Sequence, residues 1–121
     1  NEPVISTLPK GLKRFHLTTI ESAKDYLIKN FHKKISLGDV AEHCCVSLFH
    51  FSRIFKSIMK ITPYQYLTAL RLQHASVLLE TSSEPINQIA LQCGFASLEH
   101  FDNAYRQRFG RTPSTLRKVH S

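Results

Sequence analysis

The side chains with the most chemistry in this chain are three cysteines and seven histidines, and their spacing limits what they can do. His43-Cys44-Cys45 is the densest group. A metal ion needs ligands that converge in space, ordinarily with a spacer such as Cys-x-x-Cys, and no such spacing is present. Cys93 stands apart, and an odd cysteine count gives no disulfide framework, so a reducing cytoplasm is expected. Catalytic patterns are missing too: there is no Ser/His/Asp ordering, no glycine-rich phosphate loop and no pair of carboxylates in a plausible cleft. Neither an enzyme nor a bound metal or cofactor is expected. Phe51, Phe55, Phe101, Tyr105 and Phe109 invite base stacking, but their helical spacing marks them as core.

What remains is charge. Sixteen Lys and Arg against nine Asp and Glu leave a net charge of +7. Such a surface suits a polyanion, nucleic acid before an anionic membrane. The excess is uneven: residues 1–60 carry ten basic and five acidic side chains, and residues 61–121 carry six and four. No apolar run nears the roughly 20 residues of a membrane-spanning helix, so none is expected. No charged-then-apolar leader opens the sequence, so no secretory signal is expected either. The chain starts at Asn1 rather than Met, which suggests a piece of a longer protein.

The elements that carry this charge repeat. Val40-Ala41-Glu42-His43-Cys44-Cys45-Val46 is echoed by Ile89-Ala90-Leu91-Gln92-Cys93-Gly94-Phe95 at an offset of 49 residues. Leu48, His50, Phe51, Phe55 and Lys56 are echoed by Leu98, His100, Phe101, Tyr105 and Arg106 at an offset of 50. Thr62-Pro63 and Thr112-Pro113 keep that offset of 50. One inserted residue between the blocks is tolerable only at a turn, so each unit reads as helix, tight turn, helix and a capped third helix.

Local signals agree with that plan. Leu37, Val40, Ala41 and Cys44 recur at helical spacing, Cys45-Val46 is the turn, and Ser47 can N-cap the next helix. Leu48, Phe51, Ile54, Phe55 and Ile58 form that helix's apolar stripe. Thr62 followed by Pro63 is a start signal. The second unit repeats the plan with Ile86, Ile89, Ala90 and Cys93, a turn at Gly94, a helix from about Leu98 to Phe109, and a stop at Gly110. Upstream, Thr18 with Glu21 predicts a capping box ahead of Ile20, Ala23, Leu27, Ile28 and Phe31. Pro63 to about Glu80 reads as one long helix with Leu67, Leu70, Leu78 and Leu79 facing inward, broken at Ser82-Ser83-Glu84-Pro85.

The expected fold is therefore all-α: seven helices forming two helix-turn-helix subdomains joined by a long linker helix. Residues 1–17, with Pro3, Pro9 and Gly11, are expected to be a linker. Residues 18–62 form the first subdomain, 63–81 the linker helix and 82–121 the second subdomain. The second helix of such a pair fits the DNA major groove, about 12 Å wide. One copy is a weak signal, because helix pairs with short turns are common in ordinary bundles; two copies with matching caps on a basic chain are a strong one. A linker helix of about 18 residues is about 27 Å long. With the width of the flanking elements, that predicts recognition helices about 34 Å apart, one turn of B-DNA. A tandem pair within one chain does not require a palindromic site.

From about Ile20 to Arg117 the chain resembles the C-terminal DNA-binding domain of AraC/XylS-type bacterial transcription regulators. The most specific portion is Gly94-Phe95, Phe101, Tyr105-Arg106, Phe109-Gly110, Thr112-Pro113-Ser114 and Arg117. Arg71-Leu72, Ala75 and Leu78-Leu79 also fall at the family's spacing in the linker helix. The resemblance implies sequence-specific binding of double-stranded DNA and regulation of transcription, as an activator that contacts RNA polymerase. It implies base contacts from Phe49, Ser52 and Arg53 in the first recognition helix, and from Leu98, Glu99, His100 and Asn103 in the second. Arg53 has the chemistry to pair with guanine O6 and N7, Asn103 to read adenine, Glu99 to accept from a cytosine amino group and Phe49 to touch a thymine methyl. Lys56 and Arg106, with the hydroxyls of Ser47 and Ser97, are implied phosphate contacts. This piece is expected to be monomeric and cytoplasmic, with an upstream ligand-binding domain dimerising the parent protein. The reading of a different class is a helical protein-interaction or thiol/ligand-sensing module that keeps the fold without strong DNA binding.

Two departures from the pattern bear on this. Cys45 sits where the second unit has Gly94, at a turn position that favours positive φ, and a non-glycine residue there costs on the order of 1 kcal/mol. Glu99 and Asp102 make the start of the second recognition helix acidic, which suits the helix dipole but repels phosphates. The first unit is therefore expected to dominate affinity.

Overall fold

A computed structural model describes residues 14–120, with side chains through Arg117; residues 1–13 of the linker expected over 1–17 and the final Ser121 lie outside the described residues. Within them the regular structure is all helical: α1 (Arg14–Asn30), α2 (Leu37–His43), α3 (Leu48–Met59), α4 (Pro63–Thr81), α5 (Ile86–Gln92), α6 (Leu98–Phe109) and α7 (Pro113–His120). The described residues form two units, 14–30 with 35–67 and 31–34 with 68–120, so the division falls inside α4. No helix among the described residues is long and apolar enough to cross a membrane.

In the first unit, α1 corrects the sequence reading. It is already helical at Arg14, so Thr18 and Glu21 lie inside it and cannot cap its start, and residues 14–17 are helical rather than linker. The reason is a buried stripe that begins with a polar residue: His16, Ile20, Ala23 and Leu27 share one face. α2 starts at a capping box: the Asp39 N–H donates to Ser36 Oγ at 3.1 Å and the Ser36 N–H donates to Asp39 Oδ2 at 2.9 Å. Ser47 caps α3 as expected, accepting from the His50 N–H at 3.1 Å. Phe51, Ile54 and Phe55 are fully buried from that helix. Leu48, expected in the same stripe, is instead 48% exposed, because it is the first helical residue and precedes the face that turns inward. Thr62 caps α4, accepting from the Gln65 N–H at 3.1 Å while Gln65 Oε1 accepts from the Thr62 N–H at 2.9 Å.

The second unit takes most of α4 as its backbone. Leu72, Ala75 and Leu79 pack with Ile89, Ala90, Cys93, Phe95, Phe101 and Tyr105 in one core, with Leu116 of α7 against it. Leu70 and Leu78, expected to be inward, are only half-buried; the buried stripe follows the helical period rather than the leucine content. Two arginines hold loops here. Arg71 donates from Nε to the Phe31 carbonyl at 2.8 Å and from Nη2 to the Lys33 carbonyl at 3.1 Å. Arg117 donates to the carbonyls of Leu79, Ser82 and Glu84, fastening the connection between α4 and α5.

Both tight turns are built alike. After α2, the Cys45 N–H donates to the Glu42 carbonyl and the Val46 N–H to the Ala41 carbonyl, at 3.0 and 3.1 Å. After α5, the Gly94 N–H donates to Leu91 and the Phe95 N–H to Ala90, at 3.1 and 3.0 Å. This is the Schellman arrangement, which ends a helix through one residue in the left-handed region. Cys45 adopts φ 62° and Gly94 φ 98°. The residue inserted in the second turn is Ala96, between Phe95 and the capping Ser97.

Candidate nucleic-acid interface

In the first unit, packing Phe51, Ile54 and Phe55 inward leaves Phe49, Ser52, Arg53 and Lys56 on the other side of α3. They follow one another at i, i+3, i+4 and i+7, which places them on one helical face. Phe49 is 78% exposed, an arrangement with no packing use, and Arg53 and Lys56 are exposed. Ser47 stands at the exposed start of that face, where its oxygen already holds the His50 amide.

In the second unit, Phe101 and Tyr105 turn inward, and the equivalent outward face of α6 holds Glu99, Asn103 and Arg106, all exposed. Arg106 Nη2 donates to Asn103 Oδ1 at 2.8 Å, so the guanidinium orients the amide. Leu98 is 42% exposed at the helix start. Ser97 caps α6 by accepting from the His100 N–H at 3.1 Å. His100 is half-buried, its ring edge-on to Phe95 at 5.4 Å, so part of it serves the turn. Asp102 occupies the position of Ser52, 50 residues on. The two faces therefore match in geometry and differ in sign, since Arg53 and Lys56 have no carboxylate on their face whereas Arg106 shares its face with Glu99 and Asp102.

A groove in the first unit adds residues that sequence reasoning passed over. It is lined by Phe49, Ser52, Arg53 and Lys56 of α3, and also by Leu37 and the Thr62-Pro63-Tyr64 start of α4. Tyr64, at the second helical position of α4, is 46% exposed. The repeat gave no signal for it, because its counterpart 50 residues on is Ser114.

The cysteines are separated in character. Cys93 is buried, which pushes its thiol up to about 11. Burial also raises Cys44, against the lowering effect of a hydrogen bond with Ser22, and its thiol lies 3.6 Å from the Thr19 carbonyl. Both therefore stay protonated at neutral pH, which disfavours the thiolate that redox sensing or metal binding requires. Among the described residues no group of three His, Cys, Asp or Glu could hold a metal ion.

A family described as "Helix-turn-helix domain" matches residues 40–119, which span both turns and both outward faces. The chain belongs to the AraC family of helix-turn-helix regulators. It is 43% identical over 84 residues to the HTH-type transcriptional regulator ArgR of Pseudomonas aeruginosa, covering 69% of this chain and 26% of that protein. It is 32% identical over 94 residues to the melibiose operon regulatory protein of Escherichia coli, covering 78% of this chain and 31% of that one. The AraC family chain thus spans about a third or less of these two relatives. Among solved structures, an AraC-type transcriptional regulator from Chromobacterium violaceum matches with a TM-score of 0.78 and 33% identity, over 87% of this chain and 94% of that one. The DNA-binding domain of AdpA, a global transcriptional factor solved in complex with a target DNA, matches with a TM-score of 0.79 and 26% identity, over 84% and 91%.

Proposed function

We propose that this chain binds double-stranded DNA sequence-specifically through the major groove, using α3 and α6 as recognition helices, and thereby regulates transcription. The observation that carries the reading is the pair of matched outward faces, Phe49, Arg53 and Lys56 on α3 and Glu99, Asn103 and Arg106 on α6, each behind a Schellman turn and a serine cap. The AdpA domain, bound to its target DNA, supports the same use of the fold. Arg53 reads guanine through its two-pronged guanidinium, and Phe49 meets a thymine methyl; Ser52 completes the first set. Leu98, Glu99, His100 and Asn103 supply the second, weaker set. Lys56, Arg106, Ser47 and Ser97 hold phosphates and set the docking register.

The chain is not an enzyme in this reading and needs no cofactor. It works in the bacterial cytoplasm, at the nucleoid, as a monomeric DNA-binding part of a longer activator that contacts RNA polymerase and dimerises through another domain. The test is selection of bound sites from a random duplex pool at about 150 mM salt, where non-specific phosphate binding is already weakened. Two short blocks of preferred sequence about 10 base pairs apart are expected, one per recognition helix. An unenriched pool would defeat the reading.

A further inference from the structure

The groove on the first unit extends from α3 to the start of α4. Its volume is about 410 Å³. One wall is Ser52, Arg53 and Lys56, and the other is Thr62, Pro63 and Tyr64, with no carboxylate in the lining. Arg53 and Lys56 are its two cations, while its accessible surface is mostly apolar and includes the exposed rings of Phe49 and Tyr64. Cationic heads beside apolar rings match a chain in which phosphates alternate with deoxyribose. At the start of α4 the capping box uses the N–H groups of Thr62 and Gln65, and Pro63 has none.

We infer that this groove seats the sugar–phosphate backbone of one DNA strand beside the bases read by Arg53, with Tyr64 as its anchor. The Tyr64 hydroxyl donates to a phosphate oxygen and its ring lies against the neighbouring deoxyribose. The inference rests on the DNA-binding reading above and adds a contact from outside the recognition helix. A neutral phenol releases no counterion. Its removal therefore lowers affinity without changing the salt dependence, unlike loss of a lysine.

The experiment compares the whole chain with Tyr64→Phe, Tyr64→Ala and Lys56→Ala, on the selected duplex and on a scrambled one, across a salt series. Tyr64→Phe is expected to weaken binding to both duplexes about 10- to 100-fold, the range of one hydrogen bond to a charged acceptor. Its log–log salt slope should stay that of the parent, whereas Lys56→Ala should make the slope shallower by about 0.9. Phosphate-ethylation interference should disappear at one position for Tyr64→Phe, a signature that a general loss of structure does not produce. If Tyr64→Ala fails to fold, Tyr64→Phe alone decides. Parent-like affinity in Tyr64→Phe with an unchanged interference pattern, alongside a weakened Lys56→Ala, overturns the anchor and leaves the DNA reading standing. A loss confined to the selected duplex overturns it too, by making Tyr64 a base reader. Failure of the parent chain to bind either duplex is a separate result that removes the DNA reading itself.

Discussion

The two tight turns have the same hydrogen bonds and opposite tolerances. Cys45 is exposed at φ 62°, within the narrow left-handed region an ordinary residue can occupy at a cost. Gly94 sits at φ 98°, outside that region, and a Cβ there would lie 2.5 Å from the Phe31 carbonyl oxygen and 2.7 Å from Arg71 Nε. The second turn is glycine for two independent reasons, backbone angle and space, whereas the first has neither constraint in full. The lesson is that a repeated motif is repeated only in its local hydrogen bonding. What packs on it decides which residues each copy accepts.

The largest effect that would test this contrast is Gly94→Ala. The added methyl must displace the Arg71 guanidinium from the Phe31 and Lys33 carbonyls, and the backbone must hold an angle that alanine avoids. Backbone strain and a lost charged hydrogen bond each contribute about 1–3 kcal/mol, so a loss of about 3–4 kcal/mol is expected in urea unfolding. A loss below about 1 kcal/mol would mean that the Arg71 clamp yields easily, and the two turns would then be equivalent after all.

The outward faces carry the same contrast into binding. Arg53→Ala is expected to cost about 1–3 kcal/mol on the selected site and to relax preference at one base position. Asn103→Ala should cost less, about 0.5–1 kcal/mol, because its amide is one neutral group beside two carboxylates, Glu99 and Asp102. Fluorescence-anisotropy titrations of both variants against single-base variants of the site would rank the two units. An Asn103 effect equal to or above that of Arg53 inverts the ranking drawn from charge.

Helix order, both turns and the serine caps were legible in the sequence because each depends on residues within a turn or two of one another. Ser47, Ser97, Gly94 and Thr62 act on their own neighbours, so type and spacing suffice. What escaped depended on tertiary placement. His16 extends the buried stripe of α1 by one turn, but a histidine carries no apolar signal, so the helix start was misplaced. Leu48 carries the apolar signal and is nevertheless half exposed, because position at a helix end outweighed type. Tyr64 reaches the groove from a helix assigned to linking, and its repeat counterpart is a serine, so periodicity could not point to it. The outward positions of α3 and α6 were legible by helical phase, since their exposure follows from which residues turn inward; the DNA contacts assigned to them come from the family resemblance and are part of the proposal.

The smallest expected effect is at the more permissive turn. Cys45→Gly removes the penalty of a side chain in the left-handed region, about 1 kcal/mol, but frees the unfolded chain by an opposing amount of about 0.5 kcal/mol. The net is a stabilisation of about 0.5 kcal/mol, read as a small rise in the urea midpoint at constant slope. Cys45→Ala keeps the backbone penalty and removes only the thiol, so it should leave the midpoint unchanged. Together the two variants separate backbone from side chain. If Cys45→Ala destabilises the chain, the thiol makes a contact of its own. If Cys45→Gly destabilises it while Cys45→Ala does not, the left-handed angle is not strained here, and the asymmetry between the turns comes from the space around Gly94 alone.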